Sequence, residues 1–377
     1  MTVSPRARLE QVTRDVLEPR LASGAELGVQ VAVYWQGEAV LDLALGWADV
    51  ARSRPVTREV RFPVFSCSKG VVATLVHRLV AQGVLGWDWP VARVWPAFAA
   101  AGKDHVTVRD VLAHAAGLWE VRSDLTLRDL GDREAFCAWL ADRPVDATCM
   151  HAYHGLTFGY LLAEIVERAA ARSFEDLVRD EVLGPLGRAD HRFRRGPVEA
   201  WPVAELVNAP PTRRVASLDM PVFRAIPLSV APVARFYNRP EVQAIENPAA
   251  GLFTTAETLA RHYAALVGSV DGVRLLDEAT LAGATARVHA EPDPVLEHAI
   301  PKALGWFLGG EDSPLGPWIG TFGHPGAGGS LALAHLEHPF AFSFVRNRLS
   351  AGAGESDPAA QEVLSSIRQI LGIGHPS

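Results

Sequence analysis

A serine and a lysine stand three residues apart in the segment Phe65-Ser66-Cys67-Ser68-Lys69-Gly70. Lysine is rare in this chain, because only 3 of its 36 basic residues are lysines and the others are arginines. A buried amine can lose its proton, whereas a guanidinium effectively cannot. Ser-x-x-Lys is a spacing in which an amine activates a hydroxyl for attack on an acyl group. The spacing therefore predicts nucleophilic chemistry at Ser66, against the alternative of an N-cap serine beside a snorkelling lysine.

The residues that follow this pair predict the helix that positions it. Apolar residues recur with helical spacing from Gly70 to Gln82, at Val72, Leu75, Val76, Leu79 and Val80. If the helix begins near Ser66, Lys69 lies one turn further on, among aliphatic side chains that would lower the pKa of its amine. The start of the helix would also offer unpaired backbone N–H groups to a developing oxyanion.

Composition excludes several classes of protein. The chain has 377 residues, of which 49% are hydrophobic and 21% charged, as in a globular protein with one large domain or two lobes. A net charge of −7 argues against a nucleic-acid surface. No segment is long and uncharged enough to insert into a membrane, and the first 26 residues lack the apolar core of a secretory signal. With three scattered cysteines and no disulfide framework, we expect a cytoplasmic protein.

Strand patterns at both ends of the chain enclose a helical middle. The runs 27–34 and 39–45 read as a hairpin, and later strands are predicted at 304–308, 318–322, 330–336 and 340–345, before a closing helix over 357–371. We therefore predict an α+β protein in which residues 1–84 and 240–377 form an α/β domain with a sheet flanked by helices. Residues 85–239 form an inserted helical domain, whose Pro-rich loops 197–211 and 221–240 line the cleft.

Two further segments could complete a serine–lysine site, which needs a proton relay and an oxyanion hole. Tyr153 lies in a polar loop, His151-Ala-Tyr-His-Gly155, just before a predicted helix, where a catalytic phenol could be placed. Residues 322–330, Phe-Gly-His-Pro-Gly-Ala-Gly-Gly-Ser, lie between two predicted strands. Their glycines permit a close backbone approach to a ligand, or a tight turn.

With these motifs the chain resembles the serine β-lactamase and penicillin-binding-protein superfamily, and within it the class C β-lactamase-like carboxylesterases called family VIII esterases. Ser66-Cys-Ser-Lys69 matches the first motif, and Tyr153-His-Gly155 matches Tyr-x-Asn with Gly in place of Asn. His324-Pro-Gly326 stands where β-lactamases carry Lys-Thr-Gly. The motifs occur in the expected order, and the resemblance covers roughly residues 10 to 371. It implies a β-lactamase/transpeptidase-like fold with an antiparallel sheet.

The resemblance also implies roles for these residues. Ser66 is the nucleophile, Lys69 and Tyr153 share the proton relay, and the backbone N–H groups of Ser66 and Ala327 form the oxyanion hole. Substrate contacts fall to His324, Gly326 and Gly155, with His324 orienting the substrate or hydrogen-bonding Tyr153. Which of Lys69 and Tyr153 is the base stays open. Trp119, Trp201 and Trp318 are candidates either for an apolar acyl pocket or for ordinary packing.

The departures from the family pattern favour an uncharged substrate. Gly155 has no amide side chain, and a neutral His324 is a weaker partner for a carboxylate than a lysine. We therefore predict a serine carboxylesterase that acts on a small-molecule ester without a cofactor. The alternatives are an amidase, an acyltransferase or a weak β-lactamase on the same site, or a binding protein descended from the fold.

A different catalytic nucleophile or a metal site has less support in the sequence. The chain contains no Gly-x-Ser-x-Gly motif, so a Ser–His–acid hydrolase is not indicated. Cys67 is expected to be buried and inert. Two pairs of histidines are spaced three residues apart, but neither pair has an obvious third ligand, so no metal site is predicted. The sequence leaves the oligomeric state open.

Overall fold

A computed structural model describes residues 4–195, 201–210, 219–350, 352, 354–355 and 357–373. Its strands, in chain order, are β1 Gly28–Trp35, β2 Glu38–Gly46, β3 Phe62–Pro63, β4 Val207–Asn208, β5 Phe253–Thr254, β6 Phe307–Leu308, β7 Thr321–Gly326, β8 Ser330–His335, β9 Phe340–Arg346 and β10 Arg348–Leu349. Its α-helices are α1 Pro5–Ser23, α2 Ser68–Ala81, α3 Val108–Leu112, α4 Leu127–Gly131, α5 Arg133–Asp142, α6 Thr157–Ala170, α7 Phe174–Leu177, α8 Pro221–Ala225, α9 Ala234–Tyr237, α10 Pro240–Gln243, α11 Ala256–Val267, α12 Glu278–Thr285 and α13 Pro358–Leu371.

The main sheet has six strands in the order β2-β1-β9-β8-β7-β6, and each neighbouring pair is antiparallel. Two of these strands come from the start of the chain and four from its last third. The predicted α+β class, with an antiparallel sheet flanked by helices, is therefore confirmed. The domain boundaries at residues 84 and 240 stay predictions.

Alternating side chains give the sheet two different apolar faces. One face presents large residues to α1 and α13, including Val29, Val31, Val33, Leu333 and Phe342. The other presents mostly small residues toward α11 and α2, including Ala32, Ala332, Ala334 and Ala341. Small side chains allow a helix to approach the sheet closely. The helix α2 therefore reaches β7 and contacts it.

Two predicted strands are shorter or displaced. The strand expected at 318–322 is instead Thr321–Gly326, because Gly316 and Gly320 adopt φ of 92° and 83° and turn the chain before it. The strand expected at 304–308 is reduced to Phe307–Leu308 after Gly305, whose φ is 88°. His324 is consequently a strand residue, and the tight turn lies at 327–329.

The second Pro-rich segment is helical where a loop was predicted. Residues 221–243 form α8, a 3₁₀ turn at Leu228–Val230, α9 and α10. Pro221 and Pro240 occupy the first turns of α8 and α10, where a missing N–H costs nothing. Of the first Pro-rich segment, 197–211, the structure describes residues 201–210, which contain the short strand β4. Within the described ranges, no helix combines the length and apolar character needed to cross a bilayer.

Candidate active site

Ser66 lies on a short 3₁₀ turn, Phe65–Cys67, that continues directly into α2. Ser66 is half-buried, whereas every other residue from 60 to 77 is buried. Phe65 has a φ of 46°, in the left-handed region that a bulky residue seldom adopts. The Phe65 ring packs edge-on against Tyr237 at 4.9 Å, which holds this conformation in place. Ser66 is thus held, half-buried, on a strained turn.

Lys69 is completely buried beneath Ser66. Its Nζ lies 3.0 Å from Ser66 Oγ, 2.8 Å from the carbonyl oxygen of Gly155 and 3.0 Å from that of Ala249. Burial lowers the pKa of the amine to about 7. A neutral amine has two N–H donors and one lone pair. The two carbonyls take both donors, so the lone pair is directed at the Ser66 hydroxyl.

Tyr153 completes the group around the nucleophile. Its hydroxyl donates to Ser66 Oγ at 3.0 Å, from a ring that is 1% exposed. Burial raises the pKa of Tyr153 well above that of a phenol in water. The phenol is therefore neutral across the working pH range and can donate a proton, whereas Lys69 can accept one.

Two histidines hold the loop that carries Tyr153 in place. This role was not predicted from the sequence for either of them. His154 donates from Nδ1 to the carbonyl of Ala152 at 2.6 Å and accepts at Nε2 from the Leu118 N–H at 3.1 Å. The backbone N–H of His154 donates to the ring Nδ1 of His114 at 3.1 Å. Burial lowers the pKa of His114 well below its usual value and that of His154 to about 4, so both rings are neutral. The sequence signal for His154 was its place in the Tyr153-His-Gly155 motif.

His324 lies in β7 with its ring 4.5 Å from Phe307 and 6.1 Å from Tyr153. Its Nδ1 is 2.7 Å from the carbonyl of Pro325 and must carry the proton, since a carbonyl only accepts. Its Nε2 is buried and has no hydrogen-bond partner among the described residues. Burial lowers the pKa of His324 to about 3. The site thus holds an unused acceptor, and of the two roles considered for His324, the hydrogen bond to Tyr153 is not formed.

The end of β7 is pressed against the nucleophile turn. A Cβ at Gly326 would overlap the carbonyl oxygen of Val64 and lie 3.2 Å from Cys67 Sγ, so only glycine fits. The Cys67 thiol donates to the carbonyl of His324 at 3.3 Å. Burial raises the pKa of Cys67 far above that of a free thiol. Cys67 is accordingly a structural link and not a nucleophile.

Ala327 begins the turn between β7 and β8. Gly328 and Gly329, with φ of 92° and 106°, complete this turn in a conformation that favours glycine. Within the described part of the chain, the backbone N–H groups of Ser66 and Ala327 donate to no carbonyl. Two free N–H groups at the nucleophile are what an oxyanion hole requires.

Gly155 is covered by the side chain of Ile226, which no sequence pattern places there. A Cβ on Gly155 would lie 2.7 Å from Cγ1 and 2.8 Å from Cδ1 of Ile226 and 3.6 Å from the Tyr153 ring. The apolar side chain of Ile226, at the end of α8, therefore fills the space beside Gly155. No pattern connects two residues so far apart in the chain.

A buried ion pair lies behind the site. Lys302 Nζ is 2.6 Å from Asp293 Oδ2, and the two side chains are 5% and 0% exposed. Asp293 Oδ1 accepts from the N–H groups of Val295 and Leu296. The described residues include no group of His, Cys, Asp and Glu side chains suited to holding a metal ion.

The three loop tryptophans are packing residues. Trp119 and Trp318 are 3% and 7% exposed, under the guanidinium groups of Arg224 and Arg368. Trp201, at 9%, packs between Arg61 and Phe253. Of the two readings considered from the sequence, packing therefore accounts for all three rings.

Comparison with known proteins shows the family to which this chain belongs. The beta-lactamase family profile matches residues 13–365. Esterase/beta-lactamase LipL of Mycobacterium tuberculosis (strain ATCC 25618 / H37Rv) is 37% identical over 337 residues, covering 85% of this chain and 77% of LipL.

Solved structures agree with that match. The crystal structure of a family VIII carboxylesterase is 27% identical with a TM-score of 0.86, covering 96% of this chain and 97% of the other. A penicillin-binding protein homolog from Caulobacter crescentus is 33% identical with a TM-score of 0.84 and the same coverages. The chain therefore belongs to the beta-lactamase family.

Proposed function

We propose that this protein is a serine carboxylesterase that cleaves its substrate through an acyl-enzyme on Ser66. The observation that carries the proposal is the position of Ser66 Oγ, 3.0 Å from both the Lys69 amine and the Tyr153 hydroxyl. Both distances fall within the reach needed for direct proton transfer. Relatives named as esterases support the same reaction class.

The protonation states favour Lys69 as the base. Its neutral amine takes the proton of Ser66 as Oγ attacks the ester carbonyl, and the oxyanion is held by the N–H groups of Ser66 and Ala327. The carbon–oxygen bond to the alcohol then breaks. Tyr153 gives its proton to the departing alkoxide and regains one from the Lys69 ammonium. In the second half, water attacks the acyl group, its proton passes to the same pair, and Ser66 leaves as a hydroxyl.

The surroundings favour an uncharged substrate. His324 is neutral and offers an acceptor, so it would repel a carboxylate where a lysine would attract one. Ile226 fills the space in which an amide side chain at position 155 would bind a polar acyl group. A simple ester has no carboxylate and no amide that must be bound. A β-lactam has both, and in this site neither group would find a partner.

The test is hydrolysis of p-nitrophenyl acetate by the wild type, Ser66→Ala and Cys67→Ala. We expect turnover that is lost in Ser66→Ala and largely kept in Cys67→Ala, with a covalent acetyl group on Ser66 detected by mass spectrometry at early times. Turnover that persists in Ser66→Ala would refute the mechanism. No turnover by the wild type on this ester or on longer ones would favour a binding protein.

A further inference from the structure

The backbone N–H of Ala327 belongs to a tight turn whose shape decides where that N–H points. The Gly329 N–H donates to the carbonyl of Gly326 at 3.0 Å, so these residues close a β-turn with Ala327 at its second position. Gly328, at the third position, has a φ of 92°, which favours glycine. The Ala327 N–H can serve an oxyanion at Ser66 only while the turn keeps its place, because a displacement of about 1 Å at a catalytic group can cost about 10²-fold in rate.

A buried group of charges lies directly behind this turn. Arg346 is 3% exposed, Glu26 2% and Asp357 5%. The Arg346 guanidinium donates from Nη2 to Glu26 Oε1 at 2.8 Å and from Nη1 to Asp357 Oδ2. Because taking a charge out of water is costly, such a group is stable only while each charge keeps its partner.

Two observations connect these charges to the turn. The Ser350 hydroxyl accepts from Arg346 Nη1 and donates to Asp357 Oδ2, both at 2.7 Å. The backbone N–H of Ser350 in turn donates to the carbonyl of Gly328 at 3.2 Å. A Cβ on Gly329 would lie 2.9 Å from Asp357 Oδ2 and 3.0 Å from Arg346 Nη1. The end of the turn therefore packs directly on the ion pair.

The ion pair is itself fixed to regular elements of the fold. Asp357 Oδ1 accepts from the backbone N–H groups of Ala359 and Ala360, at 3.0 Å and 3.1 Å, and so caps α13. Arg346 is the last residue of β9, and Glu26 lies just before β1. The turn is thus supported from the main sheet and α13.

We infer, resting on the proposed esterase activity, that Arg346 is a positioning residue for the oxyanion hole. Together with Asp357 and Ser350 it holds the turn that directs the Ala327 N–H at the reacting carbonyl. The oxyanion forms in both acylation and deacylation, and it is absent from the bound ester. Loss of this support should therefore slow both steps and leave ground-state binding of the ester unchanged.

Two variants remove the support to different degrees. Arg346→Met removes the charge and keeps much of the bulk, whereas Ser350→Ala removes a single hydroxyl. Arg133→Met is the matched control, because Arg133 of α5 also bridges two carboxylates, at 2.6 Å from Glu167 and 3.3 Å from Glu246.

The assay is hydrolysis of p-nitrophenyl acetate at pH 8, above the pKa of about 7 to which burial raises Glu26. Rates are expressed per reactive Ser66, counted by labelling with a fluorophosphonate to completion and measuring the intact mass. A purely structural role would lower the labelled fraction and leave the rate per labelled serine unchanged. A positioning role lowers the rate per labelled serine.

Arg346→Met should lower kcat and kcat/KM by the same factor, about tenfold to a hundredfold, since deleting one oxyanion donor outright costs about 10²–10³-fold. Ser350→Ala should lower both by about three- to tenfold, the size of one hydrogen bond. Arg133→Met should stay within about twofold of the wild type.

The outcomes separate this inference from the proposed function. An unchanged rate per labelled serine in both Arg346→Met and Ser350→Ala, or a rise in KM at constant kcat, would overturn the positioning role and leave the esterase intact. An equal loss in Arg133→Met would do the same. Hydrolysis of no ester by the wild type would overturn the proposed function and this inference with it. If Arg346→Met fails to fold by circular dichroism, the rate per labelled serine in Ser350→Ala decides the question.

Discussion

The pH dependence of ester hydrolysis tests the proposed role of Lys69 directly. An amine in water has a pKa of 10.5, and burial lowers that of Lys69 to about 7. At pH 7 about half of the molecules would carry the neutral amine, against about one in 3,000 without the shift. The neutral fraction is about 9% at pH 6 and about 91% at pH 8. Since only the neutral form can take the Ser66 proton, kcat/KM should follow these fractions.

The assay is kcat/KM for p-nitrophenyl acetate from pH 5 to 9, with Ser66→Ala as the blank for spontaneous hydrolysis. We expect a rise of about tenfold per pH unit below pH 6.5 and a plateau above pH 8. Lys69→Arg should lose activity by about 10²–10⁴-fold at every pH, because a guanidinium stays charged. A profile that is flat from pH 5 to 7, or that rises until pH 10, would refute a neutral lysine with a lowered pKa as the base.

Three further changes have defined outcomes. Tyr153→Phe should lower kcat by about 10²–10⁴-fold with an unchanged melting temperature, and an undiminished kcat would exclude Tyr153 from the proton relay. Gly155→Asn should destabilise the fold by about 1–3 kcal/mol in urea unfolding, because its Cβ meets Ile226, and Ile226→Ala in the same chain should restore part of that loss. Asp293→Asn should cost about 3–5 kcal/mol, because it leaves the buried Lys302 ammonium without its partner; a cost below 1 kcal/mol would contradict the buried pair.

The distribution of lysine shows how far composition alone can lead. All three lysines are buried, with Lys69 and Lys103 at 0% exposure and Lys302 at 4%. Lys103 donates to the carbonyls of Ala100, Ala141 and Arg143, and so ties a loop to the end of α5. Each lysine of the chain therefore holds its amine in a buried site. A compact ammonium fits such sites, whereas the wider guanidinium fork does not.

The local sequence pattern was sufficient to predict the helices and strands whose form depends on residues close together in the chain. The helix after Ser66, its burial around Lys69 and the hairpin of β1 and β2 follow from side-chain period. The order of the motifs was sufficient for the family and the fold class. Strand ends near Gly305 and Gly320 were misplaced, because positive φ angles at glycine interrupt runs that are otherwise apolar.

Only the tertiary structure decided what surrounds the motifs. Nothing in the sequence indicated that Ile226 fills the space beside Gly155, or that the carbonyls of Gly155 and Ala249 direct the lone pair of Lys69. Nor did it indicate that Phe65 and Ala327 share an apolar cluster with Tyr237 and Ala250. These are contacts between segments far apart in the chain, set by how the helices pack on the sheet, and the periodicity of one segment carries no information about them.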